Sequence, residues 1–575
     1  MPFQRTRLFY PLSHRFCLAK ACQLTLLAIG LAWVFAYHHD DAYITYRYVE
    51  RFLAGKGLNW TSGPPVEGYT HPAWLAMLIV ARSLGVPLAV SARFAGILAL
   101  LAIPCTLPAR HRQNGILFLS CLSLAALCGS ISGLETVGFS WAAWSACVVY
   151  ARPSADPRRK FLLPIILALV ALLRPEGMGI LFLVSALELF RHGAQTRWGA
   201  RVRPLLLPFA LVIGYQAFRW FYFGGLVSNS ALAKLTHEPA STVILRGLDD
   251  LFASYPAYAP VLAGALLLAI HHLLTRGRAG AGLAPEDRSL DMVSGLSGLM
   301  LLLAMLWVGG DHMVPHGRML VPVMVLLGGS LNTLGQDAMA NGKGLRAALM
   351  GTAVLALAAA MLGYREIPRE DPACVYGQWT GRFLESHLPP GTVVAVATAG
   401  STAYFAPDLE FIDTLGLNSK AIAMTPVRPP LTRWNSISGH QRGNGPYVLA
   451  QRPDVIILGP SIGYLGNDCN YWFLTDYELI RSPAFRAAYS PFLFPIQEHL
   501  DLAVLRPELL STVEQKLYSL GFPAPPAVRA AIDQGGGVLV AFFRNDSSRV
   551  AAARRQGIPA SGLLLPIAQL RSPPL

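Results

Sequence analysis

The stretch His38–Gly57, HHDDAYITYRYVERFLAGKG, sets two adjacent carboxylates, Asp40 and Asp41, directly after the first long apolar segment. Paired like charges at the rim of a membrane are costly to hold there, which marks them as functional candidates. Asp is also a good helix N-cap, and a helix is expected from Ala42 to Leu53. One cap needs only one carboxylate, so the second is left unexplained. On a helix begun at Asp40, residues Tyr43, Arg47 and Arg51 share a face, while Ile44, Val49, Phe52 and Leu53 make an apolar face. The segment therefore reads as an amphipathic helix on the membrane surface. A Gly/Pro-rich loop follows, and then VEGYTHPAW leads into the next apolar stretch.

With 575 residues, 53% of them hydrophobic and only 14% charged, the chain is too apolar for a soluble enzyme. It reads as a polytopic α-helical membrane protein with apolar stretches recurring from Leu18 to Leu362. Beyond Gly363 the composition turns more polar and strand-like runs appear at Val393–Ala397, Val455–Leu458 and Val538–Phe543. The expected division is a transmembrane catalytic domain over 1–363 and an extracytoplasmic α/β domain over 364–575. The net charge of +14 does not indicate nucleic-acid binding, because the basic residues cluster between apolar spans. Clusters such as Arg152, Arg158, Arg159 and Lys160, or Arg197, Arg201 and Arg203, mark the cytoplasmic side. The N-terminus is then inside, and Asp40 and the C-terminal domain are outside a bacterial cytoplasmic membrane. Parity gives about eleven crossings, with one segment inside His71–Pro108 short or re-entrant. Outer tips fall at Ser132–Glu135 and Arg174–Gly177. In an oxidising outer compartment, Cys374 and Cys469 could form a disulfide.

Segments placed on the outer face supply a concentration of ionisable and polar groups: Glu67, Tyr69, His71, Glu135, Glu176, Asn229, Asp311, His312 and His316. Acids and bases gathered at one depth from distant parts of a chain are how a site between helices is built. Arg47, Arg174, Lys234 and Arg318 are candidates to hold a lipid phosphate, since guanidinium groups pair two oxygens at once. His71, His312 and His316, with Asp40 or Asp311, could hold a divalent cation, although no dense ligand spacing supports one.

The stretches DDAYITYRYVERFLAGKGLNW, PVEGYTHPAWLAML, SGLET, LLRPEG, FYFGGLVSNSALAK and GGDHMVPHGRMLVPV resemble, in this order, GT-C glycosyltransferases of the mycobacterial terminal arabinofuranosyltransferase type. In the tail, EFIDTLGLNSKAIA and GHQRGNGPYVLAQRPDVII resemble the extracytoplasmic domain of that family. The resemblance implies about eleven transmembrane helices in a GT-C-like arrangement. It also implies transfer of a sugar, arabinofuranose in the nearest relatives, from a polyprenyl-phosphate donor to a glycan or protein acceptor. By analogy Asp40 is the first choice and Asp41 the second for the acid that takes the acceptor proton. His71 and Val227–Ser230 depart from the family pattern. Gly439, His440, Tyr447, Tyr404, Phe405 and Trp434 could stack on sugars. A transporter or flippase of lipid-linked sugars is the alternative, because intramembrane charges mark transporters too.

Overall fold

The computed structural model describes residues 14–106, 115–191, 198–234, 239–254, 258, 261–267, 285–310, 317–331, 348, 351–355, 357–358, 361, 371–428, 440–459, 461, 463, 471–495 and 538–555. Helices α1 (His14–Val34) and α2 (Asp40–Leu53) come first, then α3 (Pro72–Ser83), α4 (Leu88–Cys105), α5 (Gly115–Leu122), α6 (Leu124–Ile131) and α7 (Thr136–Ala151). They are followed by α8 (Pro157–Leu173), α9 (Gly177–Arg191), α10 (Trp198–Phe223), α11 (Asn229–Lys234), α12 (Ala240–Ala253), α13 (Pro285–Val308) and α14 (Leu320–Ser330). Among the described residues, Leu88–Cys105, Arg201–Phe223 and Pro285–Val308 are long and apolar enough to cross a membrane. Shorter apolar helices lie at Cys22–Val34, Pro72–Ser83, Thr136–Ala151 and Leu320–Ser330. Every residue of α7 but Trp141 is buried, as expected of a helix that is apolar all round and sits at the centre of a bundle.

Local sequence sets the turns between helices. Asp156 caps α8 by accepting from the Arg158 N–H at 2.9 Å, with Pro157 in the first turn. Arg174 ends α8 because the following Pro175 excludes it from the helical region, and it is extended at φ −153°, ψ 148°. The chain reverses there into α9, giving the tip read from the sequence. Helix α3 is short. Its length is 12 residues, about 18 Å of rise against about 30 Å of hydrocarbon. Arg82 near its end pairs with Glu50 of α2 at 2.8 Å, so α3 lies beside α2.

Residues 371–555 build an α/β unit. In order it comprises α15 (Pro372–His387), β1 (Val393–Val396), α16 (Ser401–Tyr404), β2 (Glu410–Asp413), α17 (Lys420–Ala423), α18 (Gly445–Ala450) and β3 (Val455–Ile456). The remaining elements are α19 (Leu474–Arg481), α20 (Pro483–Ala488), β4 (Tyr489–Pro495), β5 (Val538–Arg544) and α21 (Ser548–Arg555). The sheet order is β2-β1-β3-β5-β4. β1 runs parallel to β2 and β3, with Val394 opposite Phe411 and Val455, while β5 is antiparallel to β3 and β4. Both faces are covered. Val394, Val396, Leu539, Ala541 and Phe543 join one core, and Ala395, Val540 and Phe542 the other, as strand alternation requires. The expected boundary at 363/364 falls outside the described residues, as does Cys469. Cys374 is buried beneath Gln378, whose Nε2 donates to its Sγ at 3.4 Å.

Helix α2 begins at Asp40, two residues before the expected start, and its N-cap is His39, whose Nδ1 accepts from the Asp41 N–H at 3.1 Å. Ten of its residues are buried, so it is a packed element of the interface and not a helix floating on lipid. Its Asp40 face grips the α/β unit. The Asp40 carboxylate accepts from the Ser401 N–H at 2.7 Å, the Ser401 hydroxyl at 2.6 Å and the Gly400 N–H at 3.2 Å, capping α16. The Asp40 N–H donates in turn to Asp371 Oδ2 at 3.0 Å, while Asp371 Oδ1 caps α15 by accepting from Ala373 at 3.1 Å. Three positive helix ends thus meet two carboxylates. A Cβ on Gly400 would collide with Asp40, so only glycine admits this approach.

One face further along α2, Arg47 closes the opposite end of α16. Its Nη1 donates to the carbonyls of Ala403 and, at 3.4 Å, Ala406; Nη2 reaches Leu409 at 3.0 Å and Nε reaches Trp60 at 2.8 Å. The guanidinium lies 4.9 Å from the Phe411 ring centre. Tyr43 packs on Tyr404 and Phe405 between the two clamps. Removing Arg47 strands several buried carbonyls. Arg47→Ala is expected to lower stability by about 3 kcal/mol, and to expose the α/β unit to limited proteolysis before the helical part unfolds. Unchanged melting and protection would show that the clamp contributes nothing.

Candidate functional site

The second face of α2 turns toward the bundle. Asp41 and Thr45, one helical turn apart, look onto the tips Ser132–Glu135 and Arg174–Glu176 and onto the chain before α14. Thr45 Oγ1 is 2.8 Å from His71 Nε2, and His71 Nδ1 is 3.2 Å from Glu135 Oε2. Glu135 Oε1 accepts from Arg174 Nη1 at 2.7 Å, and Arg174 Nη2 donates to Glu176 Oε1 at 2.9 Å. Arg318 Nη1 stands 3.8 Å from Asp41 Oδ2. A small cavity lined by Thr136, Phe139, Arg174, Glu176, Arg318 and Met319 lies between the Arg174–Glu176 pair and Arg318.

Each position has a local cause. Glu135 occupies the N-cap position of α7 yet makes no capping bond, which leaves its carboxylate free to reach sideways. Arg174 is turned inward by the proline that follows it. Burial holds His71 below its usual range, and the nearby guanidiniums of Arg174 and Arg318 add to this. A neutral His71 can donate from Nδ1 to Glu135 while Nε2 accepts from Thr45. Burial alone would raise Glu135, but His71, Arg174 and Arg318 outweigh it and keep the carboxylate ionised. The outcome is an alternating row of fixed charges ending in Asp41, whose side chain keeps 29% of its exposure.

Five of the residues expected at the site therefore meet in one charged row with Asp41, namely His71, Glu135, Arg174, Glu176 and Arg318. Asp40 and Arg47 are not brought to it, since their polar atoms are engaged by the α/β unit. Glu67 is placed in a second, separate pair. Arg219 Nε reaches its Oε2 at 2.6 Å, Arg219 Nη2 its Oε1 at 3.1 Å, and the Tyr215 hydroxyl donates to Oε1 at 2.5 Å. Tyr69 is buried between Tyr48 and Phe223. Asn229 donates to the carbonyls of Gly416 at 2.7 Å and Leu417 at 2.8 Å, tying α11 to the loop that Asp413 organises. Lys234 is exposed at the end of α11 and forms no ion pair among the described residues.

Asp311, His312, His316, Gly439 and Trp434 lie outside the described residues. Among the described residues no group of three His, Cys, Asp or Glu side chains could hold a metal. Of the expected sugar-stacking aromatics, Tyr404 and Phe405 are spent on Tyr43, and His440 stacks on Phe473 at 5.7 Å. Sequence reading missed Arg219 and Thr45. Arg219 had a signal, because it is an ionisable residue within an apolar span. Beside the Glu67 pair a groove of about 200 Å³ runs between Pro72, Ala171, Met178, Val212, Gln216 and Val227.

The resemblance seen in the sequence has counterparts among known proteins. The chain is similar to the terminal beta-(1->2)-arabinofuranosyltransferase of Mycobacterium tuberculosis, 27% identical over 340 residues, 52% of this chain and 52% of that one. It is 25% identical over 350 residues to the protein of the same name from Corynebacterium glutamicum, covering 52% of this chain and 48% of the relative. The chain thus spans about half the length of the curated relatives it matches. Residues 372–500 match a family described as a domain of unknown function, DUF8728. Among solved structures, ArnT from Cupriavidus metallidurans in the apo state superposes with a TM-score of 0.45 at 12% identity, over 70% of this chain and 87% of that one. ArnT bound to undecaprenyl phosphate gives 0.43 at 13% identity, over 69% and 85%.

The pair at the start of α2 also carries a pH dependence. Burial, followed by the charge of Asp371, pushes Asp40 up to about 6 from 3.8. A raised carboxyl contributes stability that is complete below its unfolded value and is lost as pH rises through the folded one. Docking of the α/β unit is therefore expected to be tighter at pH 5 than at pH 7.5. Asp40→Asn should flatten this part of a melting-temperature profile between about pH 4 and pH 6.5. A profile of unchanged slope would remove Asp40 as its source.

Proposed function

We propose that this chain is a polyprenyl-phosphate-sugar-dependent glycosyltransferase of the GT-C type. It transfers a sugar, arabinofuranose by the names of its relatives, to a glycan or protein acceptor at the outer face of a bacterial cytoplasmic membrane. The observation that carries the reading is the row Asp41–Arg318 beside Arg174–Glu135–His71, assembled from segments far apart in the chain. The transporter alternative has no counterpart among the curated relatives, which carry transferase names.

In this reading Asp41, and not Asp40, is the acceptor base. An incoming hydroxyl gives its proton to the Asp41 carboxylate as its oxygen bonds to the anomeric carbon. The bond from that carbon to the lipid phosphate breaks, and the electron pair leaves with the phosphate. Arg318 meets the charge that develops there, while Arg174, held between Glu135 and Glu176, fixes the wall beside it. The space between them is about 10 Å³, room for about one water, so a phosphate has to displace an arginine side chain on entry. The groove beside Pro72 and Val227 suits the first isoprene units of the donor. Parity of the basic loops gives about eleven crossings, with the α/β unit outside as an acceptor platform.

Purified Asp41→Asn is expected to lose transfer of a radiolabelled sugar from polyprenyl-phosphate donor by about 10²- to 10⁴-fold while melting as the wild type does. Asp40→Asn should instead keep turnover per folded molecule. Wild-type turnover by Asp41→Asn would overturn the assignment. For the topology, Ser386→Cys in the exposed part of α15 should react with a membrane-impermeant maleimide in intact spheroplasts. Labelling only after permeabilisation would remove both the orientation and the outer site.

A further inference from the structure

The small cavity between the Arg174–Glu176 pair and Arg318 holds a group that the transfer step does not use. Thr136 lines it from the first turn of α7. The residue is 1% exposed, and its Oγ1 has no hydrogen-bond partner. Ser140 bonds to the Thr136 main chain, its hydroxyl donating to the carbonyl at 2.8 Å, so the Thr136 side chain takes no part in holding α7. A buried hydroxyl without a partner destabilises the fold, and valine would fill the same volume without that penalty. A ligand oxygen in the cavity recovers the loss.

Another part of the wall accepts. Burial alone would raise Glu176, but Arg174 outweighs it and keeps the carboxylate ionised. Arg174 donates to Glu176 Oε1 at 2.9 Å and to Oε2 at 3.3 Å. With the Glu176 N–H these bonds use only part of a carboxylate's four or so lone pairs. Phe139, Leu301, Met319 and Pro322 supply apolar surface around the polar groups. The space is about 10 Å³, room for about one water. A carboxylate in the wall opposes an anion, and a phosphate fits only by displacing an arginine. One hydroxyl group matches both the volume and the bonding, since it can donate to Glu176 while accepting from Thr136.

We propose that this cavity is a specificity pocket for one hydroxyl group of the sugar being transferred, with Thr136 donating to that hydroxyl and Glu176 accepting from it. The pocket has this role only if the chain is the transferase proposed above, on which the assignment rests. The donor sugar supplies the hydroxyl, because Arg318, which meets the leaving phosphate, is part of the same wall, and that phosphate is joined to the anomeric carbon of the sugar. The reacting acceptor hydroxyl is engaged by Asp41. Thr136 recognises the donor, and the proton transfer stays with Asp41.

Thr136→Val in the purified full-length chain removes the hydroxyl at constant shape. It is expected to melt at or above the wild-type temperature, because no bond within the protein is lost, and to lower kcat/KM for the polyprenyl-phosphoryl donor about tenfold. Thr136→Ser should restore most of that loss. Among donors lacking one sugar hydroxyl, one should be used about tenfold less well by the wild type, and with that donor Thr136→Val should lose less than about twofold more. Acceptors lacking one hydroxyl should leave the Thr136→Val penalty at about tenfold. Lower melting of Thr136→Val, undiminished transfer by it, or penalties that multiply for every deoxy donor would overturn the pocket. A penalty that disappears with a deoxy acceptor would overturn it too, by assigning the hydroxyl to the acceptor. A wild-type chain inactive with every polyprenyl-phosphoryl sugar would sink the transferase reading, and the pocket with it.

Discussion

Three helix starts meet at one point, and the docking of the α/β unit on α2 depends on that meeting. The N–H groups that open α2, α15 and α16 cannot be satisfied within their own helices. Asp371 accepts from the first two, and Asp40 from the third. Positive helix ends are what allow two carboxylates to sit together in a buried place. Arg47 then takes the carbonyls at the other end of α16, so a helix of four residues, far too short to stand alone, is fixed from both sides by one face of α2. Because α2 is held rigidly by its Asp40 face, its Asp41 face is held equally rigidly toward the bundle.

That division gives the two neighbouring aspartates different environments. Asp40 is buried and saturated with donors, while Asp41 keeps partial exposure beside Arg318. A helix turns by about 100° per residue, so adjacent side chains must point to different faces whenever both faces are packed. An acid fixed in the interface and an acid left partly exposed can then stand next to each other in the chain. The polar row from Thr45 through His71, Glu135 and Arg174 to Glu176 shows the same economy. Each charge is neutralised by the next, which lets them stay ionised near the hydrocarbon.

Much of the frame was legible in the sequence. Val393–Ala397, Val455–Leu458 and Val538–Phe543 were read as strands and form β1, β3 and β5, because a buried strand needs an unbroken apolar run. The tips at Ser132–Glu135 and Arg174–Gly177 follow from the basic loops and the parity of the apolar stretches. Strands β2 and β4 were not read: EFID is short and half acidic, and YSPFLFP carries two prolines that suit only an edge. Arg174, Glu135 and His71 were named as separate candidates, and only the fold shows them in contact. Glu67 was read as a site residue, but its partner Arg219 lies far along the chain, and no spacing rule links the two.

The sequence by itself determined the class of the molecule: an apolar helical chain with an α/β tail, and ionisable residues gathered in the segments between the apolar stretches. Those properties follow from composition and local periodicity, which are fixed wherever the chain goes. The tertiary structure alone decided which carboxylate stays partly exposed beside Arg318 and which arginine is spent on packing. Burial, pairing and exposure are properties of neighbours, and the neighbours of Asp40 and Arg47 are more than three hundred residues away.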